Sequence, residues 1–459
     1  MFRKSAHHDL DITHGPMARN VMRYAMPVFF SGVLQLMFNA ADSIVVGRYS
    51  GSQALAAVSS TGALTNLLVC LFLGLSSGSS ILVSRFIGAR ENKNVQDTVH
   101  TSVLIALLSG ILLAVVGCLL SRPMLRLMDT PDDVIDLSTL YLDIIFIGMP
   151  FQMLYNFCAA ILRAVGDTKR PLYFLTASGV INVILNLIFV IVFDMSVAGV
   201  ALATIISQAV SAYLVIRSLM LREDSTRLNL RRLRIKPRIM LNLLHMGLPA
   251  GIQSATFALS GMLIQSSINS FGAVAMAGIG AATSIGGFIQ HSLDAFTQAN
   301  TCFVSQNYGA RKPRRILRAV TTCNVLGAIF VIFFCILTTI FGRPLLSLYV
   351  DEPAAIEWGM IRIVYINIPY VVGCIMSIYT GALRGIGYSI LPMCITLTGI
   401  CGVRILWLYT AFAAWPTMEC LMASFGVSWL VTAPMAGIFF YVLYKKKLKD
   451  YTEEELAAK

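Results

Sequence analysis

Twelve long apolar runs follow one another along this chain of 459 residues, and they leave few folds open to it. Ten of them are near the roughly 17–25 residues that a helix needs to cross a bilayer, and the two longest, at 55–85 and 274–306, are expected to tilt or to extend into the cytoplasm. Only 13% of the residues are charged, so much of the surface must face lipid. The sequence therefore predicts an all-α integral membrane protein of twelve transmembrane helices. We place the runs near 24–48, 55–85, 98–121, 139–162, 171–193, 198–219, 243–270, 274–306, 317–341, 357–383, 389–413 and 419–444.

Lysine and arginine concentrate in alternate loops between these runs. One set of loops carries most of them, with the densest group between Arg217 and Arg238. The opposite set holds little beyond Arg48, Arg122, Arg126, Arg343 and Arg362. The positive-inside rule then predicts a multi-pass protein of the cell membrane with both termini in the cytoplasm. The net charge of +12 lies in these short loops and forms no stripe on a soluble domain, so we expect no nucleic-acid partner.

The chain also repeats itself at an offset of about 221 residues. Five short elements recur in the same order. Pro27 returns as Pro249, Ser84–Arg90 as Ser305–Arg311, Arg122–Leu125 as Arg343–Leu346, Leu162–Gly166 as Leu383–Gly387, and Pro171 as Pro392. Six spans per half is an even number, so both halves run in the same direction through the membrane. We predict two six-helix lobes related by a parallel repeat: 1–219, and 243–459 with a short charged tail, joined by a basic cytoplasmic linker at 220–242.

Several motifs give the chain a family resemblance. They are the prolines of Tyr24-Ala25-Met26-Pro27 and Gly247-Leu248-Pro249, Asp42–Gly47, the two Gly-Ala-Arg loops, Leu162–Pro171 and Gly199–Thr204. Together they resemble the MATE (multidrug and toxic compound extrusion) family over nearly the whole chain. The sequence itself contains no Walker motif and no catalytic cluster, so we expect no enzyme activity and no cofactor, and no obligate protein partner is evident. The resemblance implies a secondary antiporter that exports small organic compounds, often cationic or amphipathic, by alternating access in exchange for inward protons or sodium.

Polar residues of the first lobe form the main candidate site. Asp42 shares one helical face with Gln35, Phe38 and Asn39, and a carboxylate inside a span is usually functional. Counting residues inward from the outer ends of their helices puts Asn182, Asn186 and Thr204 at a similar depth. Oxygen atoms of these types suit a proton or a hard cation such as sodium, and we expect no other metal. Hydrogen bonds that only tie the helices together are the alternative.

The family resemblance adds roles to these positions. It implies that Asp42, Asn182 and Thr204 belong to a cation site, and that Tyr141 and Asn156 support it. Asn186 departs from the family pattern, because many relatives carry aspartate there. The missing negative charge weakens the case for tight sodium binding and slightly favours proton coupling.

The second lobe does not copy this site. Gln290, Asp294 and Gln298 form one stripe on the eighth span with His291 beside it, and Arg404 lies in the eleventh span. One interpretation is a second proton or substrate site made by Gln290, His291, Asp294 and Arg404. The other is a structural network in which Asp294 pairs with Arg404.

The sequence leaves the role of two prolines undecided. Pro27 and Pro249 lie inside the first helix of each lobe, either as hinges or as fixed kinks.

The alternative function within transport is a flippase for a lipid-linked precursor on a related two-lobe fold. A membrane-embedded enzyme and a passive channel fit the residues less well, because no catalytic cluster stands out and the two lobes differ.

Overall fold

The computed structural model describes residues 10–128 and 130–457, which are almost entirely helical and contain no strand. Seven helices cover the first half: α1 Met17–Tyr49, α2 Gly51–Gly88, α3 Asn92–Leu127, α4 Asp132–Ile147, α5 Met149–Ala164, α6 Lys169–Leu187 and α7 Ser196–Met220. Nine cover the second: α8 Pro237–Asn269, α9 Ala273–Gly309, α10 Pro313–Ile340, α11 Gly342–Leu346, α12 Pro353–Asn367, α13 Tyr370–Gly385, α14 Ile390–Thr396, α15 Val403–Trp407 and α16 Met418–Ala457. A 3-10 turn occupies Leu230–Arg232, and π-helical turns lie at Ile188–Val192, Leu397–Gly402 and Leu408–Phe412.

The predicted number of spans agrees with the helices of the described ranges. Ten are long and apolar enough to cross a membrane, and two bent pairs bring the total to as many as twelve. The pairs are Val134–Ile147 with Met149–Ala164, bent by 46°, and Pro353–Asn367 with Tyr370–Gly385, bent by 50°. The runs at 139–162 and 357–383 are therefore broken helices, whereas the sequence predicted single ones. Pro150 and Pro369 explain the breaks, because a proline removes a helix hydrogen bond and displaces the preceding turn.

The described chain divides into two compact units whose limits fall inside helices. The first unit contains Phe30–Ile87 and Glu91–Gly251, and the second contains Asp11–Phe29, Gly88–Arg90 and the chain from Ile252 onwards. The helices α1 and α8 each change unit along their length. Both changes come two residues after a proline, after Phe29 for Pro27 and after Gly251 for Pro249.

Within the first unit, α2 and the beginning of α8 approach each other through four glycines. A Cβ atom on Gly74 would lie 2.1 Å from the backbone nitrogen of Gly251, and one on Gly78 would lie 2.7 Å from that of Gly247. Each helix presents its glycines four residues apart, which is the small-xxx-small spacing of closely packed membrane helices. No side chain separates the two backbones there, so any substituent on these glycines would force them apart.

The predicted linker at 220–242 is held to the first unit by ion pairs and hydrogen bonds. Arg222 is buried, and its guanidinium pairs with Asp224 and lies 3.9 Å from the carboxylate of Asp167. Burial disfavours the charged form of Asp224, but hydrogen bonds from Arg222 and Thr226 outweigh it and lower the pKa of that carboxyl. Further along, Arg234 lies 3.3 Å from Asp97 of α3. These contacts fix the path of the segment between α7 and α8.

Candidate functional site

The predicted cation-binding face of α1 lies against α6 in the first unit. The ring of Phe38 on α1 packs directly against Gly179 of α6. A Cβ atom on Gly179 would lie 1.9 Å from Cε2 of that ring, so only glycine fits there. Along α6, Asn182 and Asn186 follow Gly179 at intervals of three and four residues, so all three share one helical face. Four residues after Phe38, Asp42 is brought level with this face of α6.

Four predicted residues form one hydrogen-bonded chain across three helices. The amide Nδ2 of Asn186 donates to Oδ1 of Asp42 and lies 3.4 Å from Oδ1 of Asn182. The Nδ2 atom of Asn182 in turn lies 3.4 Å from Oγ1 of Thr204, on α7. Thr204 donates its own proton to the backbone carbonyl of Val200 at 2.9 Å, which leaves its oxygen free to accept. Donation therefore diverges from the Asn186 amide, towards the Asp42 carboxylate on one side and towards the Thr204 hydroxyl on the other.

One acceptor atom at the centre of this chain has no partner. Asn186 has no exposed surface, and its Oδ1 atom is buried without a hydrogen bond. Leaving a buried polar atom unpaired costs about 1–3 kcal/mol. Asp42 is half-buried, on the neighbouring helix. The site thus offers a carboxylate and a vacant amide oxygen, whereas the described residues contain no cluster of three or more His, Cys, Asp or Glu that could hold a metal ion.

The supporting residues take different positions around the chain. The amide of Gln35 donates to Oδ1 of Asn39 at 3.2 Å. Both side chains are exposed, with Asn39 about one turn and Gln35 about two turns before Asp42, and neither belongs to the hydrogen-bonded chain. Tyr141 packs on the apolar cluster that contains Val45 and Val46, and the charge of Asp42 acts on its hydroxyl.

Asn156 takes no part in the cation site as the structure describes it. Its amide donates to the carbonyl of Gln152 on its own helix at 2.9 Å.

The polar stripe on α9 forms a second group, within the second unit. Gln290 donates from Nε2 to Oδ1 of Asp294 at 3.0 Å, and Tyr370 donates its hydroxyl to Oε1 of Gln290 at 3.0 Å. The ring of His291 makes no hydrogen bond to the described residues.

Arg404 is buried apart from this group. Its Nε lies 3.2 Å from the hydroxyl of Ser428, and its guanidinium carbon lies 4.1 Å above the ring of Phe425. No ion pair joins it to Asp294 in the described part of the chain. The suggested pairing of Asp294 with Arg404 is therefore replaced by a bond between Gln290 and Asp294, because a hydroxyl and an aromatic face already occupy the guanidinium.

Two residues of this second group escaped the sequence analysis. Tyr370 is the first residue of α13 and follows Pro369, at a break that hydropathy does not reveal. Arg362 was placed with the outer loops, but it lies within α12, about 14 Å from the helix start at Pro353. A single charge in an apolar run was the available signal, and it marks a functional candidate by itself.

Comparison with known proteins gives one consistent result. The family model MatE matches residues 27–188 and again 249–410. The probable multidrug resistance protein YpnP of Bacillus subtilis (strain 168) is 30% identical over 447 residues, covering 97% of this chain and 99% of that protein. YoeA of the same strain, also a probable multidrug resistance protein, is 30% identical over 94% of this chain and 95% of its own length.

The fold is also that of a solved structure. A multidrug resistance MATE family transporter of the MOP superfamily, in an outward-facing conformation, matches with a TM-score of 0.90. The match covers 97% of this chain and all of the other at 18% sequence identity. The double match of the family model coincides with the internal repeat and confirms the prediction of two repeated halves.

Proposed function

The chain belongs to the MatE family of membrane transporters, and from this we propose that it is a secondary antiporter which exports small organic compounds in exchange for protons or sodium. Family membership makes it a transporter and not an enzyme. The names of YpnP and YoeA, both probable multidrug resistance proteins, support a range of drug-like substrates. The basic loops support a cytoplasmic location of both termini.

The hydrogen-bonded chain from Thr204 to Asp42 carries the proposal for the coupling site. A carboxylate inside a membrane helix is energetically costly and usually functional, and among the described residues Asp42 accepts a hydrogen bond from one amide. A proton on this carboxylate removes its charge, and a sodium ion beside it balances the charge. A sodium ion would also need the Asn186 amide to turn, because Oδ1 and not Nδ2 must then face the ion. Either cation would change the contact between α1 and α6.

The prolines connect this change to a movement of helices. Asp42 lies in the part of α1 that belongs to the first unit, whereas Pro27 lies in the part that belongs to the second. A bend after Pro27 would therefore alter how one continuous helix is shared between the units. Pro249 occupies the matching place in α8. We propose that both act as hinges in alternating access, and that Asp42 occupancy sets the bend of α1.

Efflux from liposomes of purified protein tests the proposed function. With an imposed proton or sodium gradient, we expect uphill movement of a dye such as ethidium, and we expect collapse of the coupling gradient to abolish it. Dye that moves only downhill at a rate independent of both gradients would indicate a channel and contradict the proposal. Empty liposomes control for passive leakage.

The substitution Asn186→Asp tests which cation the site prefers. It places a second carboxylate in hydrogen-bonding contact with Asp42, and two adjacent carboxylates cannot both stay charged without a cation between them. We expect sodium chloride to stabilise this variant against heat more than choline chloride of equal ionic strength, and more than it stabilises the wild type. The control is Asn156→Asp, since that amide bonds only within its own helix. An equal sodium effect in both variants would count against the assigned site.

A further inference from the structure

The helices α13 and α16 of the second unit form the walls of an open groove of about 550 Å³. Val372, Ile375 and Tyr379 line it from α13, and its α16 wall runs from Leu430 to Val442. Apart from two tyrosines, the residues that line it are apolar. Ligand sites usually have volumes of about 300–1,000 Å³, so the groove is large enough to hold part of a small molecule or of a lipid.

Small residues on α16 keep this groove open. Ala433 is buried beneath it, and Gly437 contributes no side chain to it. A Cβ atom on Gly437 would lie 3.6 Å from Cε2 of Tyr379, which is ordinary contact. The ring of Tyr441 follows one turn later, with its centroid 6.1 Å from that of Tyr379. A side chain longer than that of alanine at position 437 would therefore project into the groove.

The groove has about the length of one leaflet of a bilayer. From Leu430 to Val442 the helix α16 rises about 18 Å, and half of the hydrocarbon layer is about 15 Å thick. The lining side chains of Leu430 and Ile438 are 58% and 63% exposed, so the groove opens towards the surroundings of the unit. Because α16 is long and apolar enough to cross a membrane, those surroundings are the acyl chains of one leaflet.

The same face of α16 continues into lysines. Lys445 follows Tyr441 by four residues, and Lys446 follows Val442 by four, so both extend the lining stripe by one turn. Both side chains are exposed, and the run Lys445–Lys449 contains four lysines. A tyrosine followed by lysines is typical of a helix that leaves the membrane. One end of the groove therefore lies at the level of the lipid headgroups, next to positive charge.

The acidic residues of the tail lie further along the helix. They begin with Asp450, which is followed by Glu453, Glu454 and Glu455. The helix continues to Ala457, so Asp450 lies about 6 Å beyond Lys446 along the axis. The lysines are therefore the tail charges that lie nearest to the groove.

We propose that this groove binds an acyl chain of an anionic phospholipid whose headgroup lies against Lys445 and Lys446. Basic residues directly next to a transmembrane helix attract anionic lipids of the cytoplasmic leaflet, which agrees with the proposed cytoplasmic location of the C-terminus. A second copy of the chain fits the groove less well. Two copies packed through it about an axis along the membrane normal would bring their lysines together. The groove contains no residue of the proposed cation site, and lipid binding needs no ion gradient.

Native mass spectrometry of delipidated protein in detergent tests the charge at the end of the groove, with palmitoyl-oleoyl-phosphatidylglycerol and palmitoyl-oleoyl-phosphatidylcholine as ligands. The two lipids share their acyl chains and differ in headgroup charge. We expect the first phosphatidylglycerol to bind about twentyfold more tightly, because each of two lysines near an anionic headgroup contributes about fivefold. Lys445→Gln combined with Lys446→Gln should remove the preference. Arg314→Gln combined with Arg318→Gln, which removes two exposed charges from α10 of the same unit, should keep it.

Gly437→Leu tests the groove itself in the same measurement. The leucine would occupy the space assigned to the acyl chain. We expect both lipids to bind about tenfold more weakly, as for two methylene groups kept out of an apolar site, while the preference for phosphatidylglycerol remains. Gly261→Leu on α8 is the control, because outside its own helix backbone no described atom lies within 4 Å of a Cβ at that position. It should bind both lipids as the wild type does.

Other outcomes decide against the lipid site. Equal affinity of the wild type for the two lipids would overturn it, and so would a preference that survives the double lysine substitution. Unchanged lipid binding by Gly437→Leu would also contradict it. If that variant fails to fold, Ile438→Trp adds bulk at an exposed lining position and should weaken both lipids in the same way. A dimer in the same spectra that Gly437→Leu dissociates would show that a second copy, and not a lipid, covers the groove.

Discussion

Replacing Asp42 with asparagine is expected to reduce gradient-driven efflux in liposomes to the level of empty vesicles. The exchange removes the charge and the titratable proton but keeps the shape of the side chain. Asn186 can still donate to the new amide oxygen, so the contact between α1 and α6 survives. The variant should therefore fold and bind dye, with a thermal midpoint within about 5 °C of the wild type, and fail only where a cation must be exchanged.

Asp143→Asn is the matched control for this prediction. Asp143 is another acid inside a bent span of the first unit, and it accepts a hydrogen bond from Ser121 at 2.6 Å. It takes no part in the chain that joins Asp42 to Thr204. We expect Asp143→Asn to retain most of the gradient-driven efflux. Undiminished efflux by Asp42→Asn would remove Asp42 from the coupling role, and equal losses in both variants would show that the effect is not specific.

The sequence was sufficient for the spans, the repeat and the grouping of the first site. Hydropathy identifies the spans because every transmembrane helix must cross the same hydrocarbon layer and is therefore mostly apolar. Depth counting brought Asp42 and Asn186 together because helices rise by a fixed amount per residue. These inferences use only regular geometry, and the structure brings Asp42, Asn182, Asn186 and Thr204 together on α1, α6 and α7.

The second polar group depended on geometry that the sequence does not display. The bend before Pro369 determines where Tyr370 points, and hydropathy treats a bent pair as one straight run. Arg362 was assigned to a loop because a charge near the end of an apolar run is usually taken as its boundary. Arg404 was matched with the wrong partner because a hydroxyl and a ring can occupy a guanidinium without any acid. The glycine spacing of α2 and α8 was present in the sequence, but only the structure shows that the two sets of glycines meet.

The second large effect is expected from a single methyl group at Gly251. A Cβ atom there would lie 2.2 Å from the carbonyl oxygen of Leu71, and a backbone atom cannot move aside as a side chain can. The two helices would have to separate along the whole pair of glycine contacts. Overpacking of this kind costs about 1–3 kcal/mol, and the lost contacts at Gly247 add to it. In a chain of 459 residues 1 kcal/mol corresponds to about 1 °C, so we expect Gly251→Ala to lower the thermal midpoint of the purified protein by about 2–4 °C.

Gly261→Ala on the same helix isolates the cause. Apart from its own helix backbone, no atom of the described residues lies within 4 Å of the place where its Cβ would be, so the same chemical change meets open space. Alanine is the better helix former by about 1 kcal/mol, so this control should be neutral or slightly stabilised. The two variants share helix, residue types and unfolded-state effect, and only the approach of α2 differs between them. Since Gly251 ends the part of α8 that belongs to the first unit, two residues after Pro249, the damaged contact is also the support of the proposed hinge. If both variants keep the wild-type midpoint, α2 and α8 do not pack through their glycines. The proposed hinge at Pro249 would then lack the packing contact that holds the first part of α8 in place.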